Sequence, residues 1–462
     1  MPEDANSTVA DQRGLLQIRV IRDVDTAREA LTRHHGFEET QLSEAARQGI
    51  RRIFGQDLSA AEVVDMIVDA VRTGGDREVR RLTEEIDGGC PEHLEVPKAE
   101  WSNAFDTLEP DLQQALLVAA EQIASFHEKQ KRTSWIEFSD EGAFGQLVRP
   151  LDRIGVYAPG GSAVYPSSLL MTAVPARVAG VQEIVVCSPP HQGHISPLIL
   201  AAAHVASVDR VFQVGGAQAI AALAYGTESI PHVDKVFGPG NIFVVLAKKK
   251  VYGVVAIDQL PGPTETLIVA DESADPEITA ADMIAQAEHD PMASAILITI
   301  SAPLADEVVA ALASQLTTLP RRDIASASLN ANGLIAIVDS VETAMELANG
   351  YAPEHLCLLL RHPWAAVPMV RHAGGIFVGE HSPEAQGDYT AGPSHVMPTG
   401  GTARFFSPVH LADFTKVISL AATNGKAIER LGPATMSLAL AEGLAGHARA
   451  IELRLERLRP PD

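Results

Sequence analysis

Gln286-Ala287-Glu288-His289-Asp290 closes an apolar-periodic run that starts at Pro276 and is stopped by Pro291. Such a run predicts a helix ending here. Spacing of three residues sets the Gln286 and His289 side chains on one face, a turn apart. An amide oxygen and an imidazole nitrogen so placed can supply two ligands to a zinc-type cation. The same pattern also suits a surface histidine drawn to a helix C-terminus by the dipole. A second candidate is Glu354-His355, which follows Pro353 at the turn into an apolar strand. A carboxylate next to an imidazole can perform two proton transfers of different pKa, as general acid/base chemistry requires. A solvated loop pair is the alternative.

The stretch from Gly387 to Thr402 is rich in Gly, Pro and hydroxyls and carries Asp388 and His395. It reads as a long functional loop. Glu442 and His447 lie five residues apart in a C-terminal helical stretch. They do not share a face, so each suits a site built elsewhere, including across a subunit boundary. Gln286, His289, Asp388 and His447 come from three regions. A discontinuous N/O set of this kind suits zinc with positions left open for a substrate. Cys357 falls inside an apolar strand, where a thiol is buried and inert.

These side chains need elements to hold them. Candidate strands are Arg153–Tyr157, Glu183–Cys187, Val211–Val214, Lys235–Phe237, Thr266–Ala270, Ala295–Ile300, Leu334–Val338, Leu356–Leu360 and Ile376–Val378. Helical runs fall between them, which predicts βαβ units and mostly parallel sheets. The strands are too many for one tidy domain. The expected fold is α/β, with two doubly wound, incomplete Rossmann-like domains plus helical N- and C-terminal segments. Ser59 and Glu62 form a capping box ahead of a periodic run, and a charged helix is expected from Asp111 to Lys131.

Three strands run straight into glycine: Tyr157-Ala158-Pro159-Gly160-Gly161, Gly215-Gly216-Ala217-Gln218 and Gly238-Pro239-Gly240-Asn241. Each is followed by a helical run. Bare backbone and helix N-termini then meet at the carboxyl edge of a sheet, where α/β folds bind phosphate-bearing ligands. A GxGxxG fingerprint is absent, because Phe243 stands at the third glycine. Each pair alone is more often an ordinary turn; together they point to a nucleotide cleft, though not a standard Rossmann site.

With 462 residues, 46% of them hydrophobic, the chain can build more than one core. A formal net charge of -23 argues against a general nucleic-acid binder, which needs Lys and Arg on phosphates. Cys90, Cys187 and Cys357 lack CxxC spacing, so no disulfide framework is expected and a reducing cytoplasm is. No signal peptide or long apolar span is expected, and no membrane partner.

Eight motifs now stand in order: Tyr157-Ala158-Pro159-Gly160-Gly161, Gly216-Ala217-Gln218-Ala219, Gly238-Pro239-Gly240-Asn241, Gly262-Pro263-Thr264-Glu265, Gln286-Ala287-Glu288-His289, Tyr351-Ala352-Pro353-Glu354-His355-Leu356, Gly387-Asp388-Tyr389 and Ser394-His395-Val396-Met397-Pro398-Thr399. Together they resemble the histidinol dehydrogenases, from about residue 15 to the C-terminus. The resemblance implies a zinc- and NAD-dependent enzyme of histidine biosynthesis that oxidises L-histidinol to L-histidine through L-histidinal with two NAD. It implies one zinc per subunit, held by Gln286, His289, Asp388 and His447. His355 would take the hydroxyl proton, and Glu354 would activate the water that adds to the aldehyde. Substrate contacts would come from Thr264, Gln286, His289, His355, Asp388, His395, Glu442 and His447, and NAD contacts from Tyr157, Gln218 and Asn241. Thr264 stands where serine is common in the family and keeps the hydroxyl.

The family is a homodimer whose C-terminal residues complete the partner's site. The implied division is a flexible leader at 1–14 and a mostly helical segment at 15–140. The first α/β domain, on the NAD side, spans 141–255, and the second, with the metal and acid/base motifs, 256–407. A helical segment at 408–462 reaches the partner subunit. A paralogue acting on another polar alcohol, such as sulfopropanediol, shares most of these motifs. Retention of both Glu442 and His447 favours histidinol. A non-catalytic metal- or nucleotide-binding protein has no need of the intact Glu354-His355 pair.

Overall fold

The computed structural model describes residues 6–10, 15–32, 44–160, 164–191 and 193–459. Gly161 and most of the 1–14 leader lie outside them. A first sheet contains β5 (Arg153–Tyr157), β6 (Glu183–Cys187), β7 (Arg210–Phe212), β8 (Lys235–Phe237) and β9 (Ala256–Ile257), in the order β7-β6-β5-β8-β9. All its pairings are parallel. A second sheet contains β10 (Glu265–Ala270), β11 (Ser294–Thr299), β12 (Leu334–Ile337), β13 (His355–Leu359) and β14 (Gly375–Val378), in the order β12-β11-β10-β13-β14. These five are also parallel. Counted in chain order, each set reads 3-2-1-4-5, the order of a dinucleotide-binding fold without its sixth strand. The nine expected strands all form, with ends moved by a residue or two.

Both faces of each sheet are covered, which is why the strands read as near-continuous apolar runs. Ile154, Val156, Ile184 and Val186 bury on one face of the first sheet, and Val185, Cys187 and Phe212 on the other. In the second sheet Ile268, Leu297 and Cys357 face the helix Pro276–Ala287. Leu267, Ile296 and Leu358 face the helix Val341–Tyr351.

The ends of the chain differ from expectation. The leader is not wholly loose: β1 (Asn6–Ala10) pairs antiparallel with β2 (Gln17–Ile21), which runs parallel to β12. The open edge of the second sheet supplies the unpaired backbone groups that recruit them. The N-terminal segment is therefore no separate unit. Its residues 17–21 extend the second sheet, while the helix Ala60–Asp87 packs on the first. Ser59 and Glu62 cap that helix reciprocally, as their spacing predicts. The first domain runs on through β9, so the link between sheets is 258–264 and not the expected break after 255.

A third sheet joins β3 (Trp135–Ser139), β4 (Gly142–Pro150) and β15 (Thr415–Thr423), all antiparallel, in the order β15-β4-β3. The C-terminal segment is thus not purely helical. Its strand β15 leads into the helices Gly425–Ala441 and Ala445–Leu458, which pack on each other. Among the described residues, no helix is long and apolar enough to cross a membrane.

Leu297, wholly buried in β11, tests this core. Leu297→Ala is expected to cost about 2–5 kcal/mol through lost burial and a residual cavity. Urea unfolding followed by circular dichroism measures it, and a midpoint equal to wild type would contradict the two-sided burial of this sheet.

Candidate functional site

The chemistry-bearing side chains gather where the amino ends of β10 and β13 lie side by side. The helix Val341–Tyr351 ends at Ala352, whose φ of 54° is the left-handed conformation of a helix stop. Pro353 blocks continuation, and the chain turns into β13 with His355 as its first residue. Parallel register sets Thr266 opposite His355. The Glu354-His355 pair is therefore no solvated loop; both side chains are buried.

Backbone and side chains of β10 hold the pair. Thr264 Oγ1 donates to Glu354 Oε2 at 2.6 Å, and the Glu265 N–H donates to the same oxygen at 3.0 Å. Burial pushes the Glu354 carboxyl up to about 7, against the pull of His355 and these hydrogen bonds. His355 Nδ1 lies 3.0 Å from the Glu265 carbonyl oxygen. A carbonyl only accepts, so Nδ1 carries a proton and Nε2 is the nitrogen that gains or loses the other. Nε2 is buried without a hydrogen-bond partner, 3.8 Å from Asp388 Oδ1. Burial lowers the imidazole's proton affinity, but Glu354, Asp388 and Glu384 outweigh it and hold the pKa above the ordinary range.

Gln286 comes from the last turn of the helix Pro276–Ala287, and His289 follows just beyond it. Burial lowers the His289 pKa, so the imidazole is neutral near pH 7, with Asp388 and His355 beside it. Asp388 is not on a loop as expected. It lies in the short helix Glu384–Tyr389, which packs against the helix carrying Gln286. Burial opposes its ionisation, yet His355, His395 and His289 together keep its carboxyl below the usual value. His395 Nδ1 donates to the Asp388 carbonyl at 2.8 Å, leaving Nε2 to accept from Ser168 Oγ at 3.1 Å. Ser168 belongs to the helix Pro166–Ala179 of the first domain, so His395 ties the two halves together at the site.

The structure brings together Thr264, Gln286, His289, Glu354, His355, Asp388 and His395. It does not bring Glu442 and His447 to them within one chain. Glu442 ends the helix Gly425–Ala441 and His447 belongs to the next, so the two do not share one helical stretch. Both are exposed. Tyr157, Gln218 and Asn241 form a second group at the carboxyl edge of the first sheet. The Gly216 N–H donates to Tyr157 Oη at 3.1 Å, Gln218 Nε2 donates to Asp87 at 3.4 Å, and Asn241 Oδ1 caps the helix Ile242–Val251. Gly238 turns the chain there with φ 109°, and a Cβ would stand 2.1 Å from the Tyr157 carbonyl oxygen.

Several residues of these sites carried no reading in the sequence. Buried Lys248 donates to the Gly238 carbonyl at 2.9 Å and pairs with Asp258, whose other oxygen accepts from the Gly238 N–H at 2.8 Å. Within Lys248-Lys249-Lys250 it looks like a solvated cation. Glu384 is buried, and burial pushes its carboxyl up to about 7. Its spacing of four from Asp388 was the available signal, hidden by reading the segment as a loop. Among the described residues, no three His, Cys, Asp or Glu side chains group to hold a metal. Of the four expected ligands one is an amide and another, His447, stands exposed on a terminal helix.

Two parallel sheets of dinucleotide-binding topology around a buried carboxylate–imidazole pair define a two-domain α/β oxidoreductase. A family model described as histidinol dehydrogenase matches residues 51–455. The histidinol dehydrogenase of Deinococcus radiodurans is 52% identical over 433 residues, covering 93% of this chain and 98% of the relative. That of Thermus thermophilus is 50% identical over 404 residues, covering 87% and 97%. The crystal structure of the Elizabethkingia anophelis histidinol dehydrogenase superposes with a TM-score of 0.86 at 33% identity, covering 95% of this chain and 98% of that one. The chain belongs to the histidinol dehydrogenase family.

Thr264 stabilises the ionised form of Glu354, so its removal raises the carboxyl pKa further. Thr264→Val is expected to move the acid limb of the pH–rate profile to higher pH. A limb that stays in place would exclude Glu354 as the group that titrates there.

Proposed function

We propose that the enzyme oxidises L-histidinol to L-histidine through L-histidinal, with two NAD in succession and one zinc per subunit. The observation that carries this reading is the convergence of Gln286, His289 and Asp388 beside the buried Glu354–His355 pair. The donor set fits a borderline cation: one amide, one neutral imidazole and one ionised carboxylate, with positions left for other ligands. Gln286 and His355 each keep a buried nitrogen without a partner. Such orphaned groups cost about 1–3 kcal/mol each, which a bound cation and polar substrate can offset.

Gln286, His289, Asp388 and His447 of the partner subunit would hold the zinc. When bound, it supplies the positive centre that orients the imidazole and amino groups of the alcohol. His355 Nε2 takes the hydroxyl proton as hydride leaves for NAD. Glu354 takes a proton from the water adding to the aldehyde, and the hydrate loses a second hydride and proton to become the acid. Thr264, His395 and Glu442 are left to fix the polar substrate. For NAD, the carboxyl edge between β5 and β8 offers Gly238 and the helix starts at Gly216 and Ile242, with Tyr157, Gln218 and Asn241 around them. The ionised Asp388, with the buried acids Glu354 and Glu384 near it, suits a cationic alcohol better than a sulfonated one.

A homodimer completes the reading. Phe138 (80% exposed) on the third sheet, and Leu438 (66%) and Leu440 (57%) on the helix Gly425–Ala441, are large apolar side chains left open to solvent. Apolar side chains of this size are candidates for burial against a second copy. The exposed His447 makes no hydrogen bond or ion pair through its side chain among the described residues, as expected of a ligand supplied to another subunit.

Turnover should yield two NADH per histidinol. His355→Asn should lose at least about 10²-fold in rate while retaining zinc, and Glu354→Gln should slow histidinal oxidation more than histidinol oxidation. Equal losses in both steps would contradict the water-activating role. For the shared site, His289→Ala and His447→Ala homodimers should each be inactive. Co-expressing the two should restore activity, since one site of the mixed dimer then carries all its ligands; no recovery would place His447 in its own subunit's site.

A further inference from the structure

Two buried side chains compete for one proton beneath the site. Thr266, the second residue of β10, is wholly buried. Its hydroxyl hydrogen-bonds Glu384 Oε2 and stands 3.0 Å from Gln286 Oε1. A hydroxyl has one proton and two lone pairs, and a carboxamide presents ends of nearly equal shape, one accepting and one donating. When ionised, the Glu384 carboxylate is the stronger claimant for the proton, because a charge-assisted hydrogen bond is about twice as strong as a neutral one. The Thr266 oxygen then turns lone pairs toward Gln286, and only the amide nitrogen can meet them. With the oxygen facing Thr266, by contrast, Gln286 Nε2 is buried and has no partner. Turning the amide over lets Nε2 donate to Thr266 and leaves Oε1 in the unpartnered position, open to a cation.

We propose that Glu384, acting through Thr266, sets the Gln286 amide with its oxygen free and so prepares an oxygen donor for the divalent cation. The inference rests on the zinc reading above and adds a positioning role for two residues outside the donor set. An amide nitrogen has no lone pair to offer a cation; an amide oxygen does. Glu384 also begins the helix that carries Asp388 one turn later. One short element thus contributes a donor directly and orients another at a distance.

The opposite arrangement has a distinct signature. Were Glu384 to hold a proton, it would donate to Thr266, Thr266 would donate to Gln286 Oε1, and the amide nitrogen would be the free end. Glu384→Gln reproduces that pattern, since its carboxamide can donate where the carboxylate accepts. Zinc affinity of the purified enzyme, measured by competition with a chromophoric chelator, tests the proposal.

Glu384→Gln and Thr266→Val are expected to weaken zinc binding by about 10–100-fold, and Thr266→Ser to retain it. In a Gln286→Ala background the Glu384→Gln loss should vanish, because no amide remains to be oriented. Circular dichroism of the zinc-free variants separates this from unfolding. Wild-type affinity in both Glu384→Gln and Thr266→Val would overturn the proposal, as would an undiminished Glu384→Gln loss in the Gln286→Ala background. A wild-type enzyme that binds no zinc would overturn the parent reading itself and this role with it.

Discussion

The parallel pairing of β10 with β13, in the register that sets Thr266 opposite His355, is the constraint on which the site depends. It brings a hydroxyl, an N–H and a carbonyl of residues 264–265 to the buried Glu354–His355 pair. A buried carboxylate or imidazole without such partners is costly enough to change its protonation state or destabilise the fold. Here each keeps one satisfied side and one reactive side. A shift of register by one residue would exchange the faces of β13 and send His355 away from Asp388. The core of the second sheet, by holding these two strands in line, holds the chemistry in line.

The two domains share one topology and use opposite edges of it. In the first sheet the glycine turns close the carboxyl ends of β5 and β8, the usual place for a ligand at a topological switch. In the second, the reactive groups stand at the amino ends of β10 and β13, with the end of the helix Pro276–Ala287 above them. Contacts that cross between the halves lie on this side: Ser168 to His395 and Ser394 Oγ to the Met171 carbonyl, while Gln259 Nε2 ties the link to the Met397 carbonyl. Under the proposed function, a cofactor at one edge and a substrate at the other would meet between the sheets. Neither sheet alone contains the whole reaction.

Much of this was legible without coordinates because the signals were local. Alternating apolar strands and helical runs predicted both sheets, and Pro353 marked the turn before Glu354 and His355. Gln286 and His289 shared a face by their spacing alone. Legibility failed where a partner lay far along the chain. Asp388 read as a loop residue, since Gly387, Gly392 and Pro393 outweighed a helix of only six residues, Glu384–Tyr389. Lys248 carried no signal of its own, because its partner Asp258 and the Gly238 carbonyl become neighbours only when β8 and β9 pair. The strand β15 was missed because its partner β4 stands more than 260 residues earlier.

The sequence by itself determined the element types, the two-domain α/β class and the residues able to do acid/base and ligand chemistry, since propensity, periodicity and side-chain chemistry act over a few residues. Only the tertiary structure decided which of those residues meet, which nitrogen of His355 is free, and that Glu384 and Thr266 stand behind Gln286. Those outcomes depend on strand register and burial, which set distances and protonation through contacts between residues scores of positions apart. They also decided that Glu442 and His447 stand apart from the rest of the site within one chain, because the terminal helices pack on each other and not on the second sheet.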